Sequence, residues 1–501
     1  MLPLTSSWGE DGERQRPSEV FESIRDFLDA KGSCDVLGDI EESEGAFDML
    51  VSREGTLAYL TEALRKYSEG EVIDEDWLDI MDWYEKNRPA ELDKVKAGML
   101  FDNRAEAVGR RFSDALYRGD RESLSVSASR LEKYSSCPFA HFIMYGLRAE
   151  TPVVYEMGAR EIGDIYHHCL MTLSKALTPE EGSGMAVDDP ASPWMTITEE
   201  ECRRRVADII NGDMDGFNEG LLDAGKVEKY RTERVVDICG DAAWSMIKQV
   251  RKGHIKSMYF EEPFGKGSLL PPIKVDAGGS EILIRGKIDR LDVMHEDAVR
   301  VVDYKTGSDT VDVDHIRGGY KLQLMIYLKA AVEGLKSEPA GVFYFKIDDL
   351  ETDADKVSVS AGDGQGGVNG NLSERLDDSY RLVGIVLNDE KLISAMDSEL
   401  IEEGSGSSKV VPVKITGKNR ELKAAAGGHL MERGEFGELM QQVDMQVKRI
   451  CSEICSGTID IKPKKERKQS FGGHKTACRY CEYKSICMFD TAFDGCRYEL
   501  I

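Results

Sequence analysis

The stretches Ile284-Arg285-Gly286-Lys287-Ile288-Asp289-Arg290 and Val301-Val302-Asp303-Tyr304-Lys305-Thr306-Gly307 decide how this chain is read. Each is an apolar-flanked strand pattern that runs into an acid, and the second adds a lysine two residues beyond its acid. Side chains at i and i+2 leave the same face of a strand, so Asp303 and Lys305 are expected to point together. A hairpin through the polar loop Met294-His295-Glu296-Asp297 brings Asp289 beside them. Two carboxylates converging on one point repel unless a cation lies between them, and hard oxygen ligands favour Mg²⁺ or Mn²⁺. A lysine at that metal's edge can orient water and offset charge growing on a phosphate. This is the equipment of metal-assisted phosphodiester hydrolysis. Spacing alone does not separate it from ordinary edge or turn acids, because an isolated Asp-x-Lys is commonplace.

At 501 residues, 41% hydrophobic and 31% charged, the chain has the composition of a soluble globular protein of two or three domains. No uncharged apolar run is long enough to span a membrane. Met1-Leu2-Pro3-Leu4-Thr5-Ser6-Ser7 leads into acidic and polar residues, so a signal peptide is not expected and the compartment read from sequence is cytoplasmic. The net charge of −27 argues against indiscriminate nucleic-acid binding but is compatible with a locally basic groove. One basic run, Lys462-Pro463-Lys464-Lys465-Glu466-Arg467-Lys468, reads either as a solvated tail or as a DNA contact. No Gly-x-x-x-x-Gly-Lys-Ser/Thr loop occurs, so no ATPase site is expected in this chain.

Residues 1–16 are expected to be a flexible N-terminus and 17–123 a helical segment, opening with apolar residues at helical spacing over Pro17 to Leu28. From Leu124 to Ile501 the pattern changes. A serine-capped helix start, Ser125-Val126-Ser127-Ala128-Ser129 followed by Arg130-Leu131-Glu132-Lys133-Tyr134, precedes Cys137-Pro138-Phe139. Helices are predicted over about 197–221, 239–252, 322–332 and 434–456, with strands over 281–304 and 342–347. Residues 361–370 and 404–408 have loop or linker composition.

His167, in the helical stretch Gly163-Asp164-Ile165-Tyr166-His167-His168-Cys169-Leu170, is a candidate third metal ligand, whereas His168 would face another side of the helix. Gln323 and Tyr327 lie four apart on one helical face. Eleven cysteines in a cytosolic chain point away from disulfides. Cys478, Cys481 and Cys487 together imply zinc or an iron–sulfur cluster. The fourth ligand is open among Cys496, Cys451, Cys455, His474 and the distant Cys137, with local spacing favouring Cys496 or His474 and zinc.

Taken in order, these segments resemble the RecB-like branch of the PD-(D/E)xK nucleases, and within it the AddB family, one of the two components of bacterial AddAB helicase–nucleases. The resemblance rests on Ser129 to Tyr134 with Cys137-Pro138-Phe139, Gly163 to His167, and Gly286-Lys287-Ile288-Asp289-Arg290. It continues through Asp303-Tyr304-Lys305-Thr306-Gly307, Leu322-Gln323-Leu324 to Tyr327, and Cys478, Cys481 and Cys487. It implies an α/β fold: a restriction-endonuclease-like core with a mixed central sheet flanked by helices, a helical N-terminal segment and an Fe–S clasp. It implies that His167, Asp289, Asp303 and the Tyr304 carbonyl hold Mg²⁺ or Mn²⁺, that Lys305 assists the attacking water, and that Gln323 and Tyr327 form an auxiliary motif. It further implies a 4Fe–4S cluster on Cys137, Cys478, Cys481 and Cys487, with DNA and an AddA-like helicase subunit as partners. Members of the family are far longer, and this chain resembles their C-terminal part, so unwinding is not carried over. A non-catalytic DNA-binding scaffold and a stand-alone RecB-like nuclease are the competing readings.

Overall fold

A computed structural model of the chain describes residues 50–501 except 51, 69, 100–102, 106, 120–122, 151–158, 181, 218–225, 296, 308–309, 348–376, 471–472 and 492–495. The expected flexible segment 1–16, the helix over 17–28 and the glycine-rich stretch 361–370 lie outside the described residues. The chain forms two compact units, Met1–Phe101 and Asp102–Ile501. In the first, helices α1 (Arg53–Ser68), α2 (Asp76–Asn87) and α3 (Pro89–Met99) enclose a small core of Leu60, Leu64, Trp77, Tyr84, Leu92 and Val95. Proline at the first position of α3 costs nothing there, because that N–H has no intrahelical partner.

The units divide between residues 101 and 102, earlier than the boundary at 123–124 read from sequence. Residues 103–118 belong to the larger unit through hydrogen bonds that sequence does not display. Asn103 Nδ2 donates to the Cys487 carbonyl at 2.9 Å, and Ser113 Oγ donates to the Ile454 carbonyl at 2.5 Å.

The larger unit runs β1 (Leu124–Val126), α4 (Ala128–Ser136), α5 (Ala159–Leu177), α6 (Glu199–Phe217), α7 (Lys226–Arg251), β2 (Ile255–Phe264), β3 (Ile273–Asp276), β4 (Glu281–Ile284), β5 (Gly286–Met294) and β6 (Ala298–Lys305). It continues with α8 (Gln323–Leu335), β7 (Glu338–Lys346), β8 (Val383–Leu387), β9 (Gly406–Ser407), β10 (Val413–Thr416), β11 (Glu421–Ala424), β12 (Gly428–Met431), α9 (Arg433–Ser456), β13 (Lys464–Ser470), β14 (Gly473–Thr476) and β15 (Glu499–Leu500), with short helical turns between. The central sheet has the order β12-β8-β7-β6-β5-β2. It is mixed: β5 pairs antiparallel with β2 and β6, and β6 pairs parallel with β7. Parallel neighbours need a crossover, and α8 supplies it, packing against both strands. Strand β6 is buried from Ala298 through Tyr304, as expected where helices cover both faces of a sheet.

Three expectations change in the structure. The helix predicted from 239 begins already at Lys226. The stretch 404–408 is not a linker: Gly404 ends a helix at φ 69°, Gly406 and Ser407 pair with β10, and the buried Ser408 Oγ meets the Asp397 carboxylate at 2.5 Å. The basic run is not a tail either. It forms β13, and Lys464 is buried, donating to Ser135 Oγ at 3.0 Å and the Gly318 carbonyl at 2.8 Å. Among the described residues no helix is long and apolar enough to cross a membrane.

Candidate active site

The β5/β6 ladder ends at the pair Arg290–Val302, so Asp289 and Asp303 are the next residues beyond it on neighbouring strands. The Tyr304 N–H donates to Asp289 Oδ2 at 3.1 Å, which fixes that carboxylate against the strand edge. Lys305 Nζ stands 2.6 Å from Asp303 Oδ2, as the period of two requires. His167 arrives from α5. One turn before it, Gly163 has no side chain where a Cβ would sit 3.2 Å from Thr306 Oγ1, so the helix can close on the end of β6. His167 Nε2 lies 3.0 Å from the Tyr304 carbonyl oxygen and Nδ1 lies 3.5 Å from Asp289 Oδ2. From α8, Gln323 Nε2 donates to Asp303 Oδ1 at 2.7 Å and to the Tyr327 hydroxyl at 3.2 Å. Sequence thus named seven residues (His167, Asp289, Asp303, Tyr304, Lys305, Gln323 and Tyr327) that the fold gathers at one place.

One neighbour was missed. Glu261 interrupts the β2/β5 ladder between the pairs Phe260–Arg290 and Glu262–Ile288, with φ 54°. Such backbone is costly for a residue with a Cβ and re-aims its side chain. The Glu261 carboxylate pairs with Lys287 and lies with His167 and Asp289 in a group whose ligand atoms are within 4.8 Å of one another. The available signal was the adjacent Glu261-Glu262, which breaks the alternation of Tyr259 to Phe264.

Burial sets the electrostatics. It pushes the Asp303 carboxyl up to about 6, with the Asp289 charge adding to the shift and Lys305 opposing it. Burial also raises Asp289, while the Tyr304 N–H works the other way. The same loss of solvent lowers His167, leaving a neutral imidazole with a lone pair to donate. Two buried acids disfavour carrying charge together, and a neutral histidine and a carbonyl converge beside them. That donor set fits a hard divalent cation. A proton on Asp303 competes with such a cation. Affinity for Mn²⁺ is therefore expected to rise by up to about tenfold per pH unit below about pH 6 and to level off above it. Paramagnetic titration of Mn²⁺ across that range checks the sign, and affinity that falls with rising pH would contradict it.

The cysteines form a second cluster. Cys137 caps the C-terminus of α4 and packs with Phe139, Phe142, Cys481 and Tyr483. Burial pushes the Cys478 thiol up to about 11, and Cys137, Cys481 and Cys487 are close enough to raise it further. Cys451 and Cys455 are buried on α9, where Cys451 interacts with Cys455 and Arg130. The distant Cys137, not the α9 pair, thus joins the C-terminal three, and none of the four is in a disulfide. Four cysteine sulfurs gathered in one place suit a bound metal centre.

Residues 125–488 match the PD-(D/E)XK nuclease superfamily. The chain belongs to that superfamily. Residues 42–97 match the fifth domain of the ATP-dependent helicase/deoxyribonuclease AddB. The chain is also similar to the B subunit of the ATP-dependent helicase/deoxyribonuclease of Thermoanaerobacter sp. strain X514, 28% identical over 502 residues, covering 98% of this chain and 41% of that protein. Against the corresponding protein of Caldanaerobacter subterraneus it is 30% identical over 503 residues, covering 98% and 40%. The chain therefore spans about two fifths of the length of the curated relatives it matches.

Proposed function

We propose that this chain is the nuclease part of an AddAB-like helicase–nuclease. In this reading it is a Mg²⁺- or Mn²⁺-dependent DNA exonuclease that hydrolyses phosphodiester bonds of single strands during double-strand-break processing and recombinational repair. Its partners are DNA and an AddA-like helicase subunit in a heterodimer, and its setting is cytoplasmic. The observation that carries the reading is the convergence of Asp289, Asp303, Lys305, His167 and the Tyr304 carbonyl at the end of one hairpin.

His167, Asp289, Asp303 and the Tyr304 carbonyl would hold the metal, with Glu261 within reach of the same place. Bound there, Mg²⁺ supplies Lewis-acid polarisation of a phosphate oxygen and offsets the charge of the leaving group. Lys305 presents an ammonium beside Asp303, where it can orient a water and stabilise negative charge on the phosphate. Gln323 holds Asp303 Oδ1, so the carboxylate keeps one rotamer, and the Tyr327 hydroxyl steadies the Gln323 amide. The test is cleavage of end-labelled single-stranded DNA by the 501-residue chain, with Mg²⁺ or with chelator, alone and with a helicase subunit. Metal-dependent cleavage supports the reading, and none in any combination overturns it.

Cys137, Cys478, Cys481 and Cys487 are proposed to hold a 4Fe–4S cluster, a clasp between the start and the end of the nuclease domain. Closing so long a loop restricts the unfolded chain far more than the folded one. Anaerobically purified protein is expected to be brown, with about four irons per chain, and Cys478→Ala to lose them. Colourless protein carrying one zinc would refute the iron assignment.

A further inference from the structure

Helix α8 begins without a cap of its own. Leu322 occupies the N-cap position, is apolar and fully buried, and makes no side-chain cap. The first N–H groups of a helix have no intrahelical acceptor, and leaving them unpaired in a buried place is costly. Here the acceptor comes from a different part of the chain. Glu132, on α4, accepts from the Leu322 N–H at 2.6 Å and from the Gln323 N–H at 2.8 Å through the same oxygen, Oε1. A carboxylate is the favoured group at this end of a helix, where the peptide dipoles leave partial positive charge.

The residue so gripped is the one that reaches the site. The main chain of Gln323 is fixed by Glu132, and its side chain donates to Asp303 Oδ1. With that oxygen held, Asp303 Oδ2 faces Lys305. We infer that Glu132 is a positioning residue for the nuclease site, acting through Gln323 to set the orientation of Asp303. The inference rests on the nuclease reading above and adds a residue to it. It also gives α4 two roles at once, since Glu132 places Gln323 and the helix's C-terminal cap is Cys137. Glu132 lies within electrostatic range of Lys321 and Lys305, both of which oppose the cost of burying its charge.

Three variants and a double-mutant cycle test this. Glu132→Ala is expected to lower kcat by about 10²-fold, the scale of a small misplacement of a reacting group, with KM for DNA changed much less. Glu132→Gln keeps an acceptor oxygen at the same reach and is expected to recover most of that loss. Glu132→Asp keeps the charge but falls short of both N–H groups, so it should lie between them. Because the effect passes through Gln323, the double variant Glu132→Ala/Gln323→Ala should be no worse than the poorer single variant. Mn²⁺ affinity, read without turnover, is expected to fall several-fold in Glu132→Ala, since Asp303 is no longer held. Losses that multiply in the double variant overturn the inference, as does wild-type kcat in Glu132→Asp. If Glu132→Ala does not fold, the Asp and Gln variants carry the same comparison. Failure of the nuclease reading is seen separately, as a wild-type chain that cuts nothing with its metal and helicase subunit present.

Discussion

Asp303→Ala is expected to reduce phosphodiester cleavage by about 10³-fold or more, a loss of roughly 4 kcal/mol of transition-state stabilisation. The side chain lies where three contacts meet: Gln323 holds Oδ1, Lys305 faces Oδ2, and Asp289 is the neighbouring acid. Alanine removes a proposed metal ligand and the counter-charge of Lys305 in one step. The effect on stability should run the other way. The folded Asp303 carboxyl has its pKa raised to about 6, so folding favours its protonated form. The favourable contribution is fully present below the unfolded value of 3.8 and is lost as pH rises through the folded one. At neutral pH without metal the ionised, buried carboxylate is therefore a cost, and Asp303→Ala is expected to melt at or above the wild-type temperature. With Mg²⁺ the wild type is expected to rise in Tm, and Asp303→Ala is expected to lose that rise. Wild-type-like cutting by a well-folded Asp303→Ala protein would remove Asp303 from the site.

Asp292→Ala is expected to destabilise the larger unit by about 3–5 kcal/mol. On the opposite face of the β5/β6 hairpin from the paired acids, Asp292 accepts from Arg290 Nε and Nη2, both at 2.8 Å, and from Arg300 Nε at 2.7 Å. All three side chains are fully buried. The cluster already carries more positive than negative charge, with Asp397 a further acid acting on Arg300. Among the described residues, Arg290 Nη1 and both Arg300 Nη groups are buried without a hydrogen bond. Taking away the shared carboxylate leaves two guanidinium groups out of water and uncompensated, which costs more than the ion pair contributes when intact. Urea unfolding of the variant measures the difference, and a midpoint equal to that of the wild type would contradict the argument. Arg290 also interacts with Tyr304, whose main chain contacts Asp289 and His167 on the other side of the sheet.

The site was legible in the chain because its residues stand in ordered motifs that resemble a known family, and their placement relative to one another rests on short-range geometry. Asp303 and Lys305 are two apart on a strand, Gln323 and Tyr327 four apart on a helix, and Asp289 is one hairpin away. Those distances are set by backbone periods. Glu261 was not legible because its place depends on a left-handed backbone conformation inside a strand, φ 54°, which the regular alternation of a strand pattern does not contain. Glu132, within Ser129 to Tyr134, shows no role in the sequence, since its partners are the N–H groups of Leu322 and Gln323. A main-chain donor has no side-chain signature. The basic run 462–468 misled for a related reason: a lysine looks solvated until a buried acceptor such as the Gly318 carbonyl claims it.

By itself the sequence determined the paired strands, the acid–acid–lysine set, the helix that brings His167 and the three clustered cysteines. Each follows from spacing within one or two elements, where covalent geometry leaves few choices. Tertiary structure decided which distant groups meet them: Glu132 under α8, Glu261 at its left-handed position in β2, Cys137 beside Cys478, and the unit boundary at 101–102. These contacts depend on how layers pack and on which buried donors would otherwise go unpaired. That is a condition on the whole fold, and no local pattern of residues contains it.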